Sequence, residues 1–171
     1  MTQAERVGYF RQDELVPKEL AAEAVRLDEA GLPTVVLLRD RGRLNFSVPE
    51  LGVINPRGPE LRRVGIYSFR VRGDTHYPAE NARANTKPGA TLTLKREPNN
   101  PHDPNAIAIC NPRTGGTLGY VNKGNARALA RRMDSGEMLA CRTLRGGDQP
   151  TEVIITTEPI MEHLFSHIVE P

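Results

Sequence analysis

No stretch of this 171-residue chain approaches the roughly 20 consecutive apolar residues that a membrane-spanning helix needs. The opening Met-Thr-Gln-Ala-Glu-Arg lacks the basic-then-apolar order of a secretion signal, so a cytoplasmic location and no membrane partner are expected. Only two cysteines occur, Cys110 and Cys141, and neither has a second cysteine or a histidine at close ligand spacing. A zinc site draws on three or four clustered Cys/His ligands, so none is assigned and both cysteines read as small buried hydrophobes. The four histidines are scattered; only His163 and His167 share an i, i+4 relation, at a place that reads as solvated. Enzymatic signatures are equally scarce. There is no Gly-x-x-x-x-Gly-Lys phosphate loop and no Ser-His-Asp or Cys-His pattern. Metal-dependent phosphoryl chemistry needs several converging carboxylates, and around the basic core Glu97 and Asp103 are separated by a proline-stiffened loop while Asp134 falls at a helix end. No catalytic residue, metal or cofactor is therefore assigned.

What is present is uneven charge. Residues 1–60 carry 8 Lys/Arg against 10 Asp/Glu, and residues 61–147 carry 15 against 6. The last 24 residues, 148–171, have 5 acidic residues and no Lys or Arg. An arginine-rich middle between acidic flanks is the footprint of a phosphate-backbone binder, or else a solvated basic surface.

Turn chemistry and periodicity divide the chain into an extension (1–60), a main domain (61–157) and an acidic tail (158–171). In the extension, Leu20, Ala24 and Leu27 at helical spacing between Pro17 and Gly31 predict a helix over 17–30. Thr34–Arg39 and Leu44–Val48, separated by a turn containing Gly42, predict a hairpin. Residues 49–60, rich in Pro and Gly, read as a linker or irregular wrap. The main domain offers strands over 63–71, 90–96, 106–110, 117–121, 138–144 and 152–157. A long polar loop occupies 72–88, with a helical turn near 79–84. One amphipathic helix runs from Asn122 to about Ser135, with Ala126, Leu129, Ala130 and Met133 as its buried stripe. Short strands with one main helix predict an α+β, mainly β chain: a small barrel of about six strands plus a helix and hairpin extension.

The oddest construction lies between two of those strands. Pro98, Pro101 and Pro104 interleave with Asn99, Asn100, His102, Asp103 and Asn105. Proline fixes φ and removes a donor, while Asn and Asp bond to nearby backbone groups, so the loop is stiff and polar. Two readings stand: a turn whose polar groups satisfy only itself, or a rigid mount that presents hydrogen-bonding groups to a ligand.

This region resembles the HIRAN family. The resemblance rests on Val64-Gly65, on the run Leu92 to Ile109 with its Arg-Glu-Pro-Asn-Asn-Pro-His-Asp-Pro-Asn-Ala-Ile core, on Leu118-Gly-Tyr-Val-Asn-Lys123, and on the helix from Ala126 to Gly136. It covers about residues 61–157. It implies an OB-like barrel that binds single-stranded DNA and captures its 3′-hydroxyl end. It further implies that Asp103 accepts a hydrogen bond from the terminal hydroxyl and that Asn100 helps hold the end nucleotide. His102 stands where the family can have a base-stacking tyrosine. Tyr120 and Lys123 would contact the sugar–phosphate backbone, Lys123 aided by a helix N-terminus. Arg96 joins them as a candidate DNA-binding cation. A second stacking aromatic of the family falls at Ser68 here, flanked by Tyr67 and Phe69; Tyr67 is either its substitute or part of the core.

The expected function is thus a non-catalytic module for single-stranded DNA, recognising 3′-hydroxyl ends in repair or replication. The alternative is an adaptor that recruits a helicase or nuclease through its acidic flanks. The oligomeric state is left open.

Overall fold

The computed structural model of the chain describes residues 6–7 and 10–171, which fall into two units. One reaches to Ile66 and takes in Pro159–Pro171; the other is Tyr67–Glu158.

The first unit begins with the short strands β1 (Arg6–Val7) and β2 (Phe10–Arg11), followed by helix α1 (Lys18–Ala24). A three-stranded antiparallel sheet follows, from β3 (Val36–Asp40), β4 (Arg43–Val48) and β5 (Gly52–Val53), with β4 central and wholly buried. Arg41 and Gly42 both have positive φ, 56° and 73°, as a two-residue turn matched to strand twist requires. The helix expected over 17–30 stops at Ala24. Thr34 Oγ1 donates to Ala24 O at 2.6 Å, and Asp28 Oδ1 accepts from the N–H groups of Ala30 and Leu32. These short polar side chains satisfy the backbone in a turn and outcompete a further helical turn.

The expected strand over 63–71 also starts late. Pro59 occupies the first helical position of α2 (Pro59–Arg63), and Gly65 closes that helix at φ 80°. The N–H of Ile66 reaches back to Leu61 O at 2.9 Å and that of Gly65 to Arg62 O at 3.0 Å, a glycine-capped helix end.

The second unit opens with β6 (Tyr67–Arg70) and α3 (Pro78–Arg83), then β7 (Thr91–Arg96), β8 (Ile107–Cys110) and β9 (Thr117–Tyr120). Helix α4 (Lys123–Asp134) and the hairpin of β10 (Leu139–Arg145) and β11 (Glu152–Thr157) complete it. The six strands form one curled antiparallel sheet in the order β6-β11-β10-β7-β8-β9. The expected OB-like, mainly β architecture with one principal helix is what the chain adopts. Tyr67, Phe69 and Val71 face the interior with Leu92, Ile107, Ile109, Leu118, Val153 and Ile155. Helix α4 adds Ala126, Leu129 and Ala130, with Met133 packed at the margin, so the stripe read from sequence is the buried one. Both Cys110 and Cys141 are buried free thiols, and burial pushes both pKa values up.

The acidic segment expected as a tail holds helix α5 (Glu158–Ser166), which buries Ile160, Met161 and Leu164. Beyond it, Val169 pairs with β3: its N–H donates to Leu37 O at 2.8 Å, and its carbonyl accepts from Arg39 at 2.9 Å. No helix among the described residues is long and apolar enough to cross a membrane.

The sheet's two edges meet at one place. Arg72, just beyond β6, and Tyr120, the last residue of β9, exchange backbone hydrogen bonds of 2.9 and 2.8 Å. Gly119 makes this approach possible. A Cβ there would lie 2.4 Å from Val71 Cγ1 and 2.6 Å from the Arg72 carbonyl oxygen, and the oxygen cannot retreat without breaking the seam. Gly124, on α4, is the contrasting case, since its nearest neighbour to a new Cβ is Asn122 Nδ2 at 3.9 Å. Gly119→Ala should therefore cost about 1–3 kcal/mol in urea-denaturation stability, the usual range for overpacking. Gly124→Ala should be neutral or stabilising by a few tenths, roughly, because alanine favours helix.

Candidate functional site

Tyr120 is held on both sides of its ring. Its backbone forms the seam with Arg72, and its hydroxyl donates to Glu97 Oε1 at 2.9 Å. The same Glu97 oxygen accepts from Asn100 Nδ2 at 3.0 Å. With the amide nitrogen so engaged, Asn100 Oδ1 faces the loop and accepts from the backbone N–H groups of His102 (2.9 Å) and Asp103 (3.2 Å). Asp103 Oδ1 in turn accepts from the N–H of Asn105 at 2.8 Å. The Pro-Asn loop is therefore a relay from the barrel wall: Glu97 orients Asn100, Asn100 caps the backbone at 102–103, and that fixes the Asp103 carboxylate. Asp103 Oδ2 is left without a protein partner among the described residues. Burial, with Tyr77 and Glu97 as hydrogen-bonding neighbours, pushes the Tyr120 phenol pKa well above its ordinary value, so Tyr120 remains a neutral donor.

A cavity of about 600 Å³ opens beside this relay, a volume suited to a small-molecule-sized group. Asn100, His102 and Asp103 line it from the loop, Arg72, Gly73 and Tyr77 from the chain after β6, and Tyr120 to Gly124 from the passage into α4. Tyr77 and Tyr120 stand with ring centroids 6.4 Å apart and planes tilted by 48°. Asn81 on α3 holds the Tyr77 segment, donating through Nδ2 to Tyr77 O at 2.9 Å and to Leu118 O at 2.9 Å.

Lys123 and Gly124 are the first two helical residues of α4, and their N–H groups have no acceptor among the described residues. Unsatisfied donors and the helix dipole favour an anion there. The side chains of Arg72 and Lys123 are exposed and make no ion pair with any described residue. The cavity thus combines two solvated cations and a helix N-terminus with one half-buried carboxylate and two aromatic rings.

Of the seven residues singled out from sequence, Asn100, His102, Asp103, Tyr120 and Lys123 line this cavity. Tyr67 and Arg96 do not. Tyr67 is 9% exposed within the barrel core, with the Arg132 guanidinium 5.8 Å from its ring centroid. Arg96 is committed to a bidentate pair with Asp134 (3.0 and 3.1 Å) and to Ala106 O at 3.2 Å, joining the end of β7 to the end of α4. Sequence reasoning missed Arg72, Tyr77 and Gly124. The available signal was a lone aromatic, Tyr77, in an otherwise polar loop next to Pro78.

Among the described residues no three His, Cys, Asp or Glu side chains gather to hold a metal ion. The rings of His163 and His167 lie 4.6 Å apart, with His167 Nδ1 2.7 Å from His163 O.

The family model for the HIRAN domain matches residues 64–168, well over half of the chain. None of the curated proteins compared with the chain matches it. Among solved structures, the crystal structure of the human HLTF HIRAN domain is 24% identical, covering 58% of this chain and 83% of its own, with a TM-score of 0.46. The HLTF HIRAN domain in its DNA-bound conformation is 27% identical over 60% of this chain and 84% of its own, with a TM-score of 0.43. A crystal structure of a Lactobacillus plantarum protein is 24% identical over 53% and 95%, with a TM-score of 0.44.

Glu97→Ala would leave the Tyr120 hydroxyl and the Asn100 amide without their shared acceptor. It should destabilise the chain by about 2–3 kcal/mol, whereas Glu97→Gln, which keeps a carbonyl acceptor, should cost about 1 kcal/mol or less. Removing the carboxylate should also lower the Tyr120 pKa, read by carbon-13 chemical shifts of labelled tyrosine across alkaline pH.

Proposed function

As the chain belongs to the HIRAN family through residues 64–168, we propose that it is a non-catalytic DNA-binding module that takes the 3′-hydroxyl end of a single strand in the cavity beside Tyr120. The DNA-bound form of the HLTF relative supports DNA as the ligand class. The observation that carries the reading for this chain is the meeting of unlike groups in one cavity. A carboxylate oxygen with no partner among the described residues lies with two solvated cations, a helix N-terminus and two tyrosines.

Each group has a task in this reading. Asp103 Oδ2 accepts the terminal 3′-hydroxyl proton, which a strand continuing through phosphate does not have. Carboxylate and phosphate would also repel, so the same oxygen selects for the end and against its continuation. The preceding phosphate sits at the α4 N-terminus, between Lys123 and Arg72, where backbone N–H donors and charge favour it. Gly124 leaves the helix start bare, so a phosphate oxygen can approach the backbone closely. Tyr77 takes the stacking task that Ser68 cannot perform, with His102 as the second and weaker partner; stacking contributes about 1–3 kcal/mol per base. Arg127 and Arg131, on the exposed side of α4, lie where a longer strand would meet further positive charge.

The test compares end-labelled oligonucleotides bearing a 3′-hydroxyl or a 3′-phosphate. A hydrogen bond to a charged group contributes about 1.5–3 kcal/mol, so the hydroxyl end should bind roughly 10- to 100-fold more tightly. Asp103→Asn should erase that difference while preserving the fold, because its Oδ1 still caps Asn105 whereas its amide NH₂ cannot accept the hydroxyl proton. Equal affinity for both ends in the unmutated chain would contradict end capture.

A further inference from the structure

The first unit carries a separate cavity of about 400 Å³, framed by residues 15–21 and 55–60. Leu15, Val16, Pro17, Ala21 and Pro59 form much of its lining, and Glu60 stands among them. Glu60 is only 5% exposed, yet no hydrogen bond or ion pair reaches its carboxylate from the described residues. Its oxygens keep a little contact with the open space of the cavity, so a cation entering there would meet a carboxylate that no described residue engages.

The position of that carboxylate is built into the chain. A Cβ on Gly58 would lie 2.2 Å from Glu60 Oε2 and 3.3 Å from its Cδ. Gly58 has φ −71°, which any residue adopts, so space for the Glu60 carboxylate and not backbone conformation calls for glycine here. Lys18 and Arg57 also line the cavity, but both are exposed and neither pairs with Glu60. Solvated charges of that kind are screened by water and salt, whereas a guanidinium seated on the carboxylate inside the cavity is screened less.

We infer that this groove accepts an arginine side chain from a basic partner polypeptide, its guanidinium pairing with Glu60 and its methylene stem lying on Leu15, Val16, Pro17 and Pro59. Glu19 also lines the cavity but is exposed, and among the described residues no three His, Cys, Asp or Glu side chains gather there to hold a metal ion. An ammonium group is more strongly hydrated than guanidinium and presents no planar fork to a carboxylate. This site is independent of the cavity beside Tyr120, so its failure would leave the DNA reading untouched.

The probe is N-acetyl-L-arginine amide, titrated into the nitrogen-15-labelled full chain and followed by amide chemical shifts. Saturable shifts are expected at Gly58, Glu60 and Ala21. Glu60→Gln should weaken binding by roughly tenfold or more, as should exchange of the probe for N-acetyl-L-norleucine amide, which keeps the stem and lacks the charge. The norleucine comparison uses the unmutated chain and so stands even if Glu60→Gln disturbs the fold. A linear, unsaturated response, equal binding of the norleucine probe, or undiminished binding by a natively folded Glu60→Gln chain would each overturn the inference.

Discussion

Two backbone hydrogen bonds between Arg72 and Tyr120 join the edges of the curled sheet, and the cavity exists because they do. A sheet edge exposes unpaired donors and acceptors, and pairing the edges removes that liability at one point. The same pairing sets Arg72 and the Tyr77 segment across from the Pro-Asn loop and the start of α4. Gly119 is the enabling residue, since any side chain would occupy the space of Val71 and the Arg72 carbonyl. Closure and site thus have one cause. The Gly-Tyr pair does both jobs: glycine lets the strands meet, and tyrosine ties the seam to Glu97.

The loop carries a similar economy. Read by itself, a run of Pro, Asn and Asp is a self-capped turn, and most of its hydrogen bonds do satisfy the loop: Asn100 Oδ1 and Asp103 Oδ1 are both spent on nearby backbone N–H groups. That reading and the ligand-presenting one are complementary. Caps immobilise each side chain through one atom, and the other atom's direction then follows. Pre-organisation of this kind lowers the ordering cost of binding.

Much of this was legible in sequence where the determinants are local. Alternation located β7, β8, β9 and β11 to within a residue or two, and apolar spacing found the buried face of α4. Local signals fail where distant partners decide. Tyr67 and Tyr77 are both tyrosines near Gly and Arg, and only closure of the sheet turns one into core and the other into cavity wall. Arg96 looked like an available cation, but its bidentate partner Asp134 lies 38 residues away. Helix α2 is five residues long, too short for periodicity, and is set by Pro59 and Gly65. Acidity masked α5, whose Ile160, Met161 and Leu164 occupy one helical face.

On the proposed reading, nucleic acid enters the space beside the Arg72–Tyr120 seam. Amide chemical-shift mapping of the full chain with a short single-stranded oligonucleotide ending in a 3′-hydroxyl tests it most directly. The largest perturbations should fall at Arg72, Gly73, Tyr77, His102, Asp103, Lys123 and Gly124, and they should saturate together. Perturbations that saturate elsewhere, on the β10–β11 hairpin or on the acidic first unit, with these amides unmoved, would contradict it.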